Sequence, residues 1–165
     1  SARVPFVLRL PSSYSSQIYK RGQKISVPIE LRDIFPTFCE IAQIDIPPSI
    51  DGRSLLSLCK GENNWREYIH GEHTGGNISN HWITDGKEKY IWFSQTGREM
   101  FFYIADDPQE LHDLSKKYPD RLVFWREKLI LELANREEGF VQDGKLITGR
   151  PQSPTLRHAG KGLEG

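Results

Sequence analysis

The sequence predicts an α+β fold with a small four-stranded antiparallel sheet and a C-terminal helix packed on it. Two observations carry this prediction. Short aromatic and β-branched runs separated by turn residues fill positions 66–104, and an apolar stripe with helical spacing follows position 118. Short runs of this kind indicate strands, whereas apolar residues three and four positions apart indicate a helix. Four strands joined in chain order are the simplest interpretation.

The four predicted strands lie in the segments REYIHGEH, NHWITDG, EKYIWFS and EMFFYI. Asp85-Gly86 and Thr96-Gly97 are hairpin signals, because these residue types accept the backbone angles of tight turns. The aromatic residues on these strands are expected to form the sheet core and cross-strand pairs, with a carbohydrate-stacking platform as the alternative. They are Trp82, Tyr90, Trp92, Phe93, Phe101, Phe102 and Tyr103.

Two helices are predicted, one before and one after the sheet segments in the sequence. The first covers Asp33–Ala42, with Asp33 at the N-cap and Pro36 in the first turn, where its missing N–H does no harm. The second runs from about Pro119 to Glu137. Its amphipathic spacing favours one buried face. That apolar stripe consists of Leu122, Trp125, Leu129 and Leu133.

The rest of the chain gives weaker patterns. Val4–Pro11 is predicted to be a buried strand, and the apolar piece after Asp51-Gly52 a turn of helix. A hairpin is expected around Asp143-Gly144, and residues 151–165 are expected to be flexible. Turn residues near Gly61 suggest a boundary, so we divide the chain into 1–60, 61–150 and 151–165.

Composition excludes several classes of partner. The chain has 165 residues, of which 37% are apolar and 27% charged, and Lys+Arg equal Asp+Glu at 22 each. This balance is typical of a globular protein and gives no support to a nucleic acid or an anionic membrane as partner. Of the two cysteines, Cys39 is expected to be a small buried hydrophobe, while a disulfide to Cys59 stays open.

The stretch YIHGEHTGGNISNHW holds three of the five histidines. Side chains alternate along a strand, so His70 and Glu72 should share one face and His73 the other, while His81 follows the glycine-rich loop. The group suits a general acid–base pair or a merely polar strand end. Its spacing matches no zinc pattern, so no metal is expected here. The chain also contains no GxSxG, P-loop or GxGxxG motif.

The order of several segments resembles the C-terminal part of the sulfatase family, of arylsulfatase type. The resemblance runs from Arg3 to about Gly149. Its most specific pieces are DIFPTFCEIAQI with DGRSL after it, and DGKEKYI followed by MFFYIADDPQELHDLS. The family often has Leu-Phe-Asp-Leu where this chain has FFYIADDP, which is a local departure.

The resemblance implies an α+β fragment of an alkaline-phosphatase-like α/β fold. Residues 1–60 would be the end of the large domain, and residues 61–150 would be the small sheet with its packed C-terminal helix. Cut from that layout, the Val4–Leu10 strand and the Ile34–Ile44 helix would expose an edge and an apolar face. We therefore expect the isolated chain either to self-associate through these segments or to leave them poorly ordered. Bacterial members of the family are often exported, but nothing in this sequence assigns a compartment.

The resemblance also implies what this chain does not supply. Sulfatases hydrolyse sulfate esters with a formylglycine made within a Cys/Ser-x-Pro-x-Arg motif, together with calcium and a catalytic lysine. Cys39 is followed by Glu-Ile-Ala and Cys59 by Lys-Gly-Glu, so neither fits. The family's calcium ligands and lysine lie N-terminal to the matching region. We therefore expect an active parent enzyme, and a chain that is inactive alone and holds no catalytic residue, metal or cofactor.

What remains for this region is the substrate side of the family's cleft, where the partner would be a sulfated small molecule or carbohydrate. The candidates are Glu72, His73, His81 and Trp82, with Trp92 and Gln95 as weaker alternatives. A glycine-rich loop lets backbone approach a ligand, and His and Trp offer hydrogen bonds and a stacking face. A stand-alone binding module and a fragment of a related phosphoesterase are the rival interpretations.

Overall fold

The computed structural model describes residues 6–14, 19 and 22–150. The chain divides into two compact units between Arg66 and Glu67. No helix within the described residues is long and apolar enough to cross a bilayer. The predicted flexible tail, 151–165, lies outside the described residues.

The first unit contains two short helices linked by buried polar contacts. A 3₁₀ turn at Leu31–Asp33 leads into α1, Ile34–Ala42, and α2 covers Leu56–Lys60. The predicted first helix and the predicted helical turn are both present. Asp33 occupies the N-cap position, but its side chain does not cap α1.

Asp33 instead forms the polar centre of the first unit. Its carboxylate accepts hydrogen bonds from the backbone N–H groups of Glu30 and Arg53, and it pairs with both terminal nitrogens of Arg66 at 2.6 and 2.7 Å. Thr37 connects the same elements, since its hydroxyl donates to the Asp33 carbonyl and accepts from the Leu55 N–H. Buried polar groups are satisfied in this way because an unpaired one is costly.

The predicted strand at Val4–Pro11 is wrong for the residues that the structure describes. Val4 and Pro5 lie outside them, and Phe6–Leu10 have no strand structure. Val7 is 91% exposed. A strand requires a neighbour that completes its backbone hydrogen bonds, and no described segment pairs with this one. The apolar pattern therefore predicted a strand where that partner is missing.

The second unit is built on the predicted four-stranded antiparallel sheet. Its strands are β1 (Ile69–His73), β2 (Asn80–Thr84), β3 (Glu88–Phe93) and β4 (Glu99–Tyr103), and they lie in chain order. Gly86 and Gly97 have φ values of 90° and 73°, which explains the glycines in the two hairpin signals. A second two-stranded ribbon pairs β5 (Val141–Gln142) with β6 (Lys145–Leu146) around Asp143-Gly144, as predicted.

Helix α3, Pro119–Leu133, covers one face of the sheet. The predicted stripe is correct: three of its residues are buried and Leu122 packs beside them. The helix ends four residues before the predicted Glu137, because Leu133 is followed by a turn in which its carbonyl accepts from the Arg136 N–H. The core against which α3 packs consists of Ile83, Tyr90, Trp92 and Phe101.

Two carboxylates at opposite ends of β3 and β4 fix α3 on this face. Glu88 accepts hydrogen bonds from Arg121 and from the indole N–H of Trp125. Glu99 accepts hydrogen bonds from Arg126 and from the Tyr90 hydroxyl. Each carboxylate thus bonds to one helix arginine and one core ring, so the polar and apolar contacts specify the same placement of the helix.

Candidate functional site

The register of the sheet brings His70, Glu72 and His81 together at the strand end singled out in the sequence. Glu72 on β1 lies opposite His81 on β2, and His70 lies opposite Ile83. Because the side chains alternate, all three residues project from the face that α3 covers. His70 Nε2 is 3.1 Å from His81 Nδ1, and Glu72 Oε2 is 3.5 Å from the same His81 nitrogen.

His81 is the buried member of this group, with 4% of its surface exposed. Its ring stacks on Trp92, lies nearly parallel to the His70 ring, and meets the edge of Phe140 at a centroid distance of 4.5 Å. Burial, followed by the nearby His70, lowers the pKa of His81 to about 4. The imidazole is therefore neutral at physiological pH and keeps one nitrogen lone pair for a hydrogen bond or a ligand.

Glu72 is positioned by Arg136, which follows the end of α3. The guanidinium lies 2.7 Å from Glu72 Oε2 and also pairs with Glu138. These two carboxylates raise the pKa of Arg136, so its charge is permanent. The arginine holds Glu72 against His81 although 64 residues separate it from Glu72 in the chain.

The other face of the sheet carries the remaining two candidates. His73 and Trp82 alternate with Glu72 and His81 and therefore point away from α3. The Trp82 ring lies against Gly71, where an added Cβ would approach it to 2.1 Å, and Lys89 Nζ lies 5.6 Å from the ring centroid. Gly71 therefore makes the space that the indole occupies.

The loop between β1 and β2 is a compact turn. The Gly75 N–H donates to the hydroxyl of Ser79, and the Ile78 and Ser79 N–H groups donate back to the carbonyls of Gly75 and Gly76. Gly76 has a φ of 58°, in the left-handed region. The His73 ring lies over Gly75, where a Cβ would come within 2.9 Å of Nε2. The two glycines therefore serve the turn and the placement of His73.

The structure thus separates the four predicted site residues into two pairs on opposite faces. Glu72 and His81 are joined by His70, and His73 stands apart with Trp82. The alternation in the sequence correctly placed His70 with Glu72. It gave no signal for Arg136, whose contact depends on the turn after α3. The two weaker alternatives have other contacts. Trp92 is buried against His81, and the Gln95 side chain donates a hydrogen bond to the Arg150 carbonyl.

Comparison with known proteins identifies the family. Residues 1–136 match the family described as N-sulphoglucosamine sulphohydrolase, C-terminal. This chain belongs to the sulfatase family. An arylsulfatase of Clostridium perfringens is 45% identical over 161 residues, which cover 96% of this chain and 33% of that protein. The sulfatase chain spans between 22% and 33% of the length of such curated relatives.

Solved structures agree in fold. One of them, bound to its substrate D-glucosamine-2-N,6-O-disulfate, is 19% identical with a TM-score of 0.53. The match covers 64% of this sulfatase chain and 24% of the other chain. A phosphonate monoester hydrolase from Silicibacter pomeroyi is also 19% identical, with a TM-score of 0.57. This match covers 82% of this chain and 32% of the hydrolase chain. The four-stranded sheet and helix are thus the C-terminal part of the sulfatase fold, which the resemblance in the sequence predicted correctly.

The calcium of the sulfatase family does not fit the candidate group. Calcium takes six to eight oxygen ligands, whereas His70 and His81 offer ring nitrogens and Glu72 is the single carboxylate among them. Cys39 is buried within α1, and both cysteines are free thiols, which answers the open question of a disulfide.

Proposed function

We propose that this region belongs to an enzyme that hydrolyses sulfate esters of carbohydrates, and that it supplies substrate-side contacts rather than the reacting groups. The family membership and the 45% identity to an arylsulfatase support the reaction class. The substrate of one structural neighbour, D-glucosamine-2-N,6-O-disulfate, supports a sulfated sugar as the substrate here. The fold alone does not choose between sulfate and phosphonate esters, since a phosphonate hydrolase shares it.

The observation that carries the substrate-side role is the exposed end of β1. Glu72 and His73 are exposed there, Trp82 is half-buried, and the compact 74–79 loop follows them. An exposed imidazole and a half-buried indole beside a glycine-rich loop can hydrogen-bond to a sugar ring and stack on it. His81 is too buried to reach a substrate, so we assign it the positioning of Glu72.

Kinetics of the intact enzyme test the substrate-side role. We expect His73→Ala and Trp82→Ala to raise KM for a sulfated sugar about tenfold with kcat nearly unchanged, because contacts made equally to substrate and transition state affect binding alone. His112→Ala, at a histidine in an exposed loop, is the matched control. Unchanged KM and substrate preference in both variants would refute the assignment.

The second part of the proposal is that the 165-residue chain alone has no sulfatase activity. Hydrolysis of a sulfate ester needs a nucleophile and positive charge around the reacting sulfate; in the family the formylglycine supplies the nucleophile, and calcium and lysine supply the charge. An assay of the isolated chain with an aryl sulfate should give the rate of the buffer. Turnover above that rate, abolished by denaturing the chain, would overturn this prediction.

A further inference from the structure

We propose that His70, Glu72 and His81 bind a divalent transition-metal ion, with zinc as the best fit. Among the described residues, one ligand atom from each of the three lies within 4.8 Å of the other two. This site rests on side-chain positions rather than on the proposed substrate.

The distances between the three groups suit a tetrahedral ion. Two ligands about 2.0–2.1 Å from one zinc in tetrahedral geometry are roughly 3.3 Å apart. The His70–His81 nitrogen separation of 3.1 Å and the His81–Glu72 separation of 3.5 Å lie on either side of this value. The third separation, between His70 and Glu72, is within 4.8 Å, so side-chain rotation has to bring these two groups together for one ion to reach all three atoms.

The chemistry of the donors selects the class of metal. Imidazole nitrogen is a good ligand for zinc, cobalt and nickel, whereas calcium and magnesium require an all-oxygen set. Two histidines and one glutamate are also a ligand set found in catalytic zinc sites, which keep a fourth position for water or substrate. The side chain of Glu72 is 43% exposed, so solvent reaches the carboxylate end of the group.

The surroundings hold the ligands in place without an ion. Arg136 orients the Glu72 carboxylate, and its contact leaves lone pairs on both oxygens for a metal. Trp92 and Phe140 enclose the His81 ring, which lies on the inner strand β2. Such outer contacts are the usual means by which proteins fix metal ligands.

Metal binding replaces the hydrogen bond between the two imidazoles. In that bond one ring donates an N–H and the other accepts through its lone pair. Coordination by both nitrogens requires the donating ring to carry its proton on its other nitrogen instead. Any further proton on either ring passes to water, and since no oxidation state changes, metal binding needs no oxidant or reductant.

Titration of the chelator-treated chain with zinc chloride tests the site. Isothermal calorimetry should show one equivalent of bound zinc, and cobalt chloride should produce the visible absorption of tetrahedral cobalt. Loss of an outer-shell partner typically costs 10–100-fold in metal affinity, so loss of a direct ligand should cost at least about tenfold. We expect that loss from His70→Asn and from Glu72→Gln, both on the edge strand, with folding checked by circular dichroism.

Two controls separate this site from adventitious binding. His73→Ala changes a histidine on the same strand but on the opposite face, and His112→Ala removes an exposed histidine that pairs with Asp107. Both should bind zinc like the parent chain. A folded parent chain that binds no zinc, or zinc binding that survives both His70→Asn and Glu72→Gln, would overturn the proposal. These measurements contain no sulfated ligand, so a negative zinc result does not refute the proposed function. A negative result in the kinetic test of the substrate-side role likewise does not refute the zinc site.

Discussion

The two units of the chain are stabilised by different kinds of centre. The second unit buries a cluster of rings and aliphatic side chains between a sheet and α3. The first unit centres on the buried carboxylate of Asp33, while apolar residues of its helix α1 face outward: Phe38 is 61% exposed. A core of rings is self-sufficient, whereas a carboxylate depends on every one of its partners. The sheet unit should therefore tolerate isolation better than the segment before it.

The largest expected effect is in the apolar core of the second unit. Trp125→Ala removes a buried indole and its hydrogen bond to Glu88, and should cost about 3–5 kcal/mol in free energy of unfolding. Leu131→Ala is the control on the same helix, because Leu131 is 73% exposed and its loss should change stability by less than about 0.5 kcal/mol. Chemical denaturation followed by circular dichroism measures both, and equal effects would contradict the assigned core.

The next effect is at the centre of the first unit. Asp33→Asn breaks the buried pair with Arg66 and should destabilise this unit by about 3 kcal/mol. Hydrogen exchange read by mass spectrometry separates the two units: protection should fall in residues 22–66 and persist in the sheet. Loss of protection in both units alike would show that they unfold together.

The same carboxylate gives the first unit its own pH dependence. Burial acts to raise the pKa of Asp33, but the hydrogen bonds from Arg66 and two backbone N–H groups outweigh it and lower the pKa. A lowered native pKa contributes stability that is complete above the unfolded value near 3.8 and is lost as pH falls through the native value. Exchange protection of residues 22–66 should therefore weaken below about pH 4, and Asp33→Asn should remove that dependence.

A pair of glycine substitutions compares the two units directly. A Cβ on Gly52 would meet the Arg32 carbonyl at 2.0 Å, whereas one on Gly71 would meet the movable ring of Trp82. Overpacking typically costs about 1–3 kcal/mol. We expect Gly52→Ala near the upper end and Gly71→Ala near the lower end, measured by thermal unfolding. The opposite order would mean that the indole is held more firmly than the backbone turn.

The smallest effect on stability belongs to the exposed face of α1. Phe38→Ser should change the free energy of unfolding by less than about 0.5 kcal/mol, yet it should reduce self-association of the chain, because exposed apolar patches drive association. Sedimentation velocity at several concentrations measures this. A parent chain that remains monomeric at high concentration would refute the predicted self-association.

The sequence predicted the second unit well because that unit depends on local periodicity. The strand alternation and the helical stripe that ends at Leu133 both reflect packing between the sheet and α3. Both packing partners lie within this unit. The Val4–Pro11 segment has the same apolar character, but its strand structure depends on a partner. The apolar pattern of a segment does not indicate whether a neighbouring strand is present to pair with it.

The candidate site was predictable only in part for the same reason. Alternation placed His70 beside Glu72, but the contact with His81 depends on the register set by the 74–79 loop. The Arg136 contact depends on where α3 ends, which the sequence placed four residues too late. A spacing rule for zinc ligands applies within one segment, so it does not detect residues that strand pairing brings together.

The two carboxylates that hold α3 give the helix a single permitted position. A shift of α3 by one turn would move Arg121, Trp125 and Arg126 about 5.4 Å along the sheet, away from Glu88 and Glu99. No gradual sliding can conserve both sets of bonds, so α3 must either stay in register or detach. Arg136 follows the same helix, so detachment of α3 would also remove its contact with Glu72. The Glu72 carboxylate would then lose its orientation toward the histidine cluster.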